Sequence, residues 1–160
     1  MDSIIIQRQA IDRTDRKERR MSKLQAMTTW VQGYLDSQET GTVTATVKER
    51  IPGHYTLVYL GTRELDRQPD LQGNLLRHCS SEFQLYRYCI NADTSWWDGL
   101  DQWMLREGIC DSGPDMGQVE QICFFIEDVQ CSQLFPDGLY EQTARIRVEY
   151  TTYHERQVSQ

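Results

Sequence analysis

Three histidines, His54, His78 and His154, and five cysteines, Cys79, Cys89, Cys110, Cys123 and Cys131, are the side chains best suited to acid–base, nucleophilic or metal chemistry. A structural zinc site would show as Cys-x-x-Cys pairs or a nearby histidine pair, and neither spacing occurs. The odd cysteine count gives no disulfide framework either, which leaves free thiols that pack as small hydrophobes. A catalytic triad would need a histidine to meet Asp93 or Asp98, and nothing in the spacing brings them together. Neither a metal nor an organic cofactor is expected.

The elements that would have to position any such group belong to one domain. At 160 residues the chain can bury roughly 70% of its unfolded surface, enough for a single core. No apolar run approaches the roughly 18 residues needed to span a bilayer, so a soluble protein without membrane contact is expected. The start carries the triplet Ile4, Ile5, Ile6 but no longer apolar core, so it does not read as a secretory signal. The cytosol is the expected compartment.

Charge divides the chain in two. Residues 1–20 hold Arg8, Arg13, Arg16, Lys17, Arg19 and Arg20 against four acidic residues, a net of +2; with −7 overall, residues 21–160 carry −9. The division is therefore a basic N-terminal arm, 1–20, and a single acidic domain, 21–160. Met21 is a second candidate start. The arm has helix-compatible pairs at Asp12/Arg16 and Asp15/Arg19 but few apolar residues to fix it to a core. An acidic body disfavours tight wrapping of nucleic acid, whose binding depends on basic side chains.

After Met21 the pattern predicts helix, strands, helix, strands. Ser22 can cap a helix in which Leu24, Met27, Trp30 or Val31, and Leu35 recur at helical spacing, ending before Gly41. "TVTATVKERI" alternates Val43, Ala45 and Val47 against polar residues, and "HYTLVYLG" is β-branched and aromatic, so two strands meet near Pro52 and Gly53. Arg63–Asn74, with Pro69 and Gly73, reads as a long loop or hairpin tip, and His78–Ile90 as a long antiparallel strand carrying Phe83 and Leu85 on one face. Thr94 or Ser95 caps the second helix, Asp98 sits in its first turn and Gly108 stops it. Trp96, Trp97, Leu100, Trp103 and Met104 form its stripe against the sheet. The run Ile122, Cys123, Phe124, Phe125, Ile126 predicts a strand covered on both faces, the second cover being another subunit. Beyond the turn at Pro136–Gly138, Ala144, Ile146, Val148 and Tyr150 alternate with Arg145, Arg147 and Glu149. The fold class is thus α+β: an antiparallel sheet of about four to five strands, two main helices packed on it, and the arm.

Trp96, Trp97, Leu100, Trp103, Met104 and Leu105 in the second helix, the strand Val119–Val129, the turn "LFPDGLYE" and the closing "ARIRVEYTTYHE" together resemble the tail-terminator (tail-completion, minor capsid) proteins of long-tailed phages. The resemblance runs from Met21 to Glu155 and is one of order and texture. The stretch Arg63–Asn74 and the basic arm stand outside the family pattern. What the resemblance implies is a structural virion protein: a ring, usually a hexamer, that caps the tail tube, touches the tail tube protein, presents a face to the head connector and lets DNA pass through its lumen. A ring requires heterologous contacts, and exposed strand edges are ready templates for them.

On this reading the candidate interface residues are Ile122, Phe124, Ile126, Arg145, Arg147 and Glu149, and the candidate docking arm is Arg13, Arg16, Lys17, Arg19 and Arg20. Glu64, Asp66 and Asp70 on one loop, or Asp111 and Asp115 on another, are candidates to face the lumen and repel phosphates. Two alternatives remain: another neck protein of the head-completion or connector kind, or a small ligand-binding domain or enzyme. In the latter, Tyr55, Tyr59, Tyr86, Tyr88, Trp96 and Trp97 would line a pocket closed by His54 or His78.

Overall fold

A computed structural model of the chain describes residues 23–38, 40–45, 49–109, 113–119 and 123–156. The basic arm with its five candidate docking residues, the capping Ser22, and Ile122, Cys110 and Asp111 lie outside these residues.

The fold is α+β. A helix α1 spans 23–38, followed by β1 (Thr42–Thr44), β2 (His54–Pro69), β3 (Leu75–Cys89), α2 (Ser95–Ile109), β4 (Cys123–Gln133) and β5 (Tyr140–His154). The five strands form one sheet in the order β1-β2-β3-β5-β4. All neighbours are antiparallel except β1, which runs parallel to β2, so the sheet is mixed and not purely antiparallel as the alternation predicted.

That difference has a local cause. The chain turns at 51–53, where the His54 N–H donates to the Ile51 carbonyl, and re-enters beside the start of β1, where the Thr42 N–H donates to the Gly53 carbonyl (both 3.0 Å). Gly41, at φ 136°, permits this approach: a Cβ there would lie 2.0 Å from the Gly53 oxygen. Val43 and Tyr55 are then side by side, where a hairpin would have put them at opposite ends.

One face of the sheet carries both helices. Leu57, Phe83, Leu85, Ala144, Ile146 and Val148 are fully buried there, meeting Val31 and Leu35 of α1 and Leu100 and Met104 of α2. Between helices and sheet runs a line of stacked rings: Phe124 on Trp30 at 4.4 Å, Trp30 against Trp103 at 4.8 Å, and Trp96 on Tyr55 at 5.3 Å. Burying and stacking such rings is among the largest single contributions a core receives. Gly99 keeps α1 and α2 close, since a Cβ on it would sit 2.8 Å from the Tyr34 hydroxyl.

The α2 stripe falls as its spacing predicts, with Trp97, Leu100 and Met104 buried and Trp96 and Trp103 partly so. At its start the Asp93 carboxylate accepts the Ser95 N–H (2.9 Å) and the Ser95 hydroxyl (3.0 Å), and these bonds hold its pKa below the usual carboxylate value.

β2 and β3 reach far past the helices. Sixteen and fifteen residues long, they extend about 50 Å at the usual rise per residue. The predicted loop Arg63–Asn74 is therefore mostly ladder: Glu64 pairs with Cys79 and Asp66 with His78, and only 70–74 turn the chain. β4 is an edge strand, and its own subunit covers one face of it: Phe124 is buried and Phe125 half-exposed on the face where a second cover is expected from another subunit.

Candidate functional site

The residues proposed for chemistry do not converge. His54 lies near Glu49 (3.8 Å) and Thr44, His78 meets the Thr151 hydroxyl at 2.9 Å, and His154 meets Thr152 at 3.0 Å, each in a different part of the sheet. No group of three or more metal-ligating side chains occurs among the described residues. The aromatics that would have lined a pocket are otherwise engaged. Tyr55 and Trp97 are in the core, while the buried Tyr88 hydroxyl donates to Glu141 (3.0 Å) and is pushed up to about 12 by burial and by that carboxylate.

What the fold presents instead is surface for contact, of three kinds. The first is the face of the sheet that no described element covers. Arg145, Arg147 and Glu149 stand on it as their alternation predicts, joined by Glu82, Phe125 and Glu127. Arg147 is the centre: its guanidinium lies over the Phe125 ring at 4.2 Å, donates to Glu127 at 2.7 Å and bonds Glu149. The hydrogen bond to Glu127 raises its pKa further. Phe124 and Ile126, grouped with these residues from sequence, point the other way. Phe124 stacks on Trp30 and Ile126 packs on the core, so both are spent inside the subunit. Strand alternation is the reason, because only every second residue of the apolar run can face outward.

The second surface is the overhanging hairpin. Glu64 sits on the helix side of β2, where it accepts from Arg67 and, at 2.8 Å, from Arg77 across the ladder. The hydrogen bond from Arg67, with help from Arg77, holds its pKa below the usual range. Asp70 closes the tip, accepting N–H groups from Gln72 (2.9 Å) and Asn74 (2.8 Å); burial pushes its pKa up, but these bonds outweigh it and the net shift is downward. Of the three predicted lumen acids, two are thus committed to holding the hairpin and its turn; Asp66 is exposed, its carboxylate accepting the Arg67 N–H. The tip carries the fully exposed Leu71 and is tied to the end of β5, where the Arg156 N–H donates to Asn74 (2.9 Å). Beneath the hairpin lies a groove of about 1000 Å³ lined by Lys23, Arg67, Arg77, Met116, Tyr150 and Arg156 among others. Asp115 lines the same groove.

The third surface is the pair of sheet edges. β1 covers only His54–Thr56, and no described strand flanks the outer side of Leu57–Pro69. β1 itself is closed by a side chain: Gln32 donates to the Gly41 carbonyl (3.0 Å) and accepts the Val43 N–H (2.9 Å), as a neighbouring strand would. On the far side, no described strand flanks β4.

One buried polar centre was missed from sequence. Gln142 is fully buried; its carbonyl oxygen accepts Trp97 Nε1 (3.1 Å) and Arg87 (2.8 Å), and its amide donates to the Asp93 carbonyl (2.8 Å). It fastens α2 to the sheet. The only signal was a glutamine two residues ahead of Ala144, at an inward position of the alternation.

No protein-family model matches the chain, and a search of curated proteins found no relative.

Proposed function

We propose that this chain is a structural virion protein of a long-tailed phage: a tail terminator that assembles as a ring, of six subunits, at the head-proximal end of the tail tube and docks to the head connector. The resemblance of its helix, turn and closing strand to that family supports the reading. The observation that carries it is the division of labour in the fold. The core is completed within one subunit, while two sheet edges, one sheet face and a long hairpin project beyond it. A protein whose work is to be held by neighbours needs such surfaces, and it needs no reactive group. The tail tube protein and the connector are the proposed partners of the ring's two ends, and DNA passes through the lumen without specific binding.

The test is mass in solution, by light scattering after size exclusion, alone and with purified tail tubes. A discrete ring, or a monomer that forms rings only on tubes, supports the reading. A monomer that ignores tubes overturns it and turns attention to the groove beneath the hairpin as a ligand site.

A further inference from the structure

Backbone N–H and C=O groups along a strand need partners on both sides, and an edge that lacks them is a template for another chain. Among the described residues this sheet has two such edges, and they are unlike. One is the outer side of β2 from Leu57 to Pro69; the other is the outer side of β4, Cys123–Gln133. Their lengths are comparable and they bound opposite sides of the same sheet. Gln32 blocks the outer side of β1, so the open part of that border begins where β1 ends.

Strand directions supply the geometry. β2 and β5 run one way, β3 and β4 the other. A second copy set alongside in the same orientation brings its β4 antiparallel to the first copy's β2, and the alternation of the four long strands continues unbroken across the boundary. We propose that the outer edge of β2 is the docking strand for β4 of the next copy, so that the assembly grows by continuing one sheet from subunit to subunit. This rests on the ring reading above and names the surfaces that close it. A contact between unlike edges is heterologous, and repeated rotation either closes a ring or extends a filament.

Side chains agree with the pairing. The β2 edge exposes Leu60 (50%) and Leu65 (45%), and β4 exposes Phe125 (37%) and Val129 (42%), so the junction has apolar groups on both sides. Arg63 on β2 is exposed and has no ion-pair partner among the described residues, whereas β4 carries Glu127 and Asp128. Bulges at Tyr59/Gly61 and Glu64/Asp66 in β2, and at Glu127/Gln130 in β4, add the local twist that a curling sheet requires.

The register follows from the ladder. Arg63, Ser80, Glu149 and Cys123 are level across the sheet, and so are Val58, Gln84, Arg145 and Glu127. Sliding the incoming β4 by about four residues toward the hairpin tip sets Glu127 opposite Arg63 and Cys123 opposite Gln68. A slide of even number keeps every side chain on its own face, and closed sheets are staggered in this way. β1 bars a slide in the other direction.

Cys123 is exposed and native, which makes the pairing testable by oxidation in the full chain. Cysteines directly opposite on antiparallel strands lie within disulfide reach. Gln68→Cys and Arg63→Cys are made separately and treated with oxidised glutathione under conditions where light scattering shows assembly. The expected result is a ladder of disulfide-linked multimers from Gln68→Cys on a non-reducing gel, lost when Cys123→Ser is added. A ladder from Arg63→Cys supports the same edge pairing with the strands level. Assembly that persists with no link through Cys123, or with links only between two introduced cysteines, overturns the proposal and leaves the ring reading standing. Failure to assemble at any concentration, with or without tail tubes, overturns both. As a second measurement, Leu60→Lys with Leu65→Lys should remove the assembled species while far-UV circular dichroism stays unchanged; an assembly that tolerates both lysines overturns the pairing.

Discussion

Level with Phe83, the four long strands present Tyr59, Phe83, Ile146 and Ile126 toward the helices; level with Arg77, three of the same strands present Arg67, Arg77 and Thr152. The first row is roofed by α1 and α2, and Phe83 and Ile146 in it are fully buried. The second lines the open groove with Lys23, Asp115 and Met116, and its two arginines are joined by Glu64. One backbone ladder therefore serves two purposes. Where helices cover it, apolar burial supplies stability; where they do not, a ring of hydrogen-bonded charges keeps a hairpin straight without making it insoluble. Apolar contacts of the first kind are large and insensitive to pH, and exposed ion pairs of the second kind are small and titratable.

Breaking the covered half should have the largest effect. Phe83→Ala removes a fully buried ring and is expected to cost about 3–5 kcal/mol, read as a lowered denaturation midpoint in urea. A loss under about 1 kcal/mol would mean that the helices do not seal this row. Next comes the seam at Gln142. Gln142→Leu keeps the volume but strands Trp97 Nε1 and one Arg87 nitrogen, for an expected cost of about 1–3 kcal/mol, with the tryptophan fluorescence shifted as α2 loosens. The smallest effect belongs to the overhang. Glu64→Gln should leave the global midpoint where it is and speed amide exchange only between Arg63 and Arg77.

Acid should do to the wild type what that substitution does. The Glu64 pKa lies below its ordinary value of 4.5 because of the arginine bonds, so their contribution is complete above that value and is lost as pH falls through the lowered folded one. Exchange protection at Arg63–Arg77 should therefore fade as the pH falls below that ordinary value, ahead of the core. Simultaneous loss in both regions would show that the two halves are one cooperative unit, and the comparison would fail.

The covered half was also the legible half. Ala144, Ile146, Val148 and Tyr150 alternate with charges because one face is buried, and all four are inside. The α2 stripe is legible for the same reason at helical period. Arg63–Pro69 shows no alternation because neither face of the hairpin meets a core, so Pro69, Gly73 and the charges suggested a loop where the ladder continues. In β4 the unbroken run of apolar residues concealed which were inward, and Phe124 and Ile126 proved to be core. The parallel placement of β1 depends on two glycines meeting backbone to backbone, a contact between segments that no local pattern records. The candidate surface was legible only as far as Arg145, Arg147 and Glu149, whose alternation already set them on the far face.

Gln32 gives the molecule a direction. By bonding the β1 backbone on both its donor and its acceptor, one amide counterfeits a strand and turns away any real one. Replacing it with alanine would leave the Gly41 carbonyl and the Val43 N–H without that partner and reopen the border to a stray chain. A side chain on the first helix thus guards that stretch of border against fibrous aggregation.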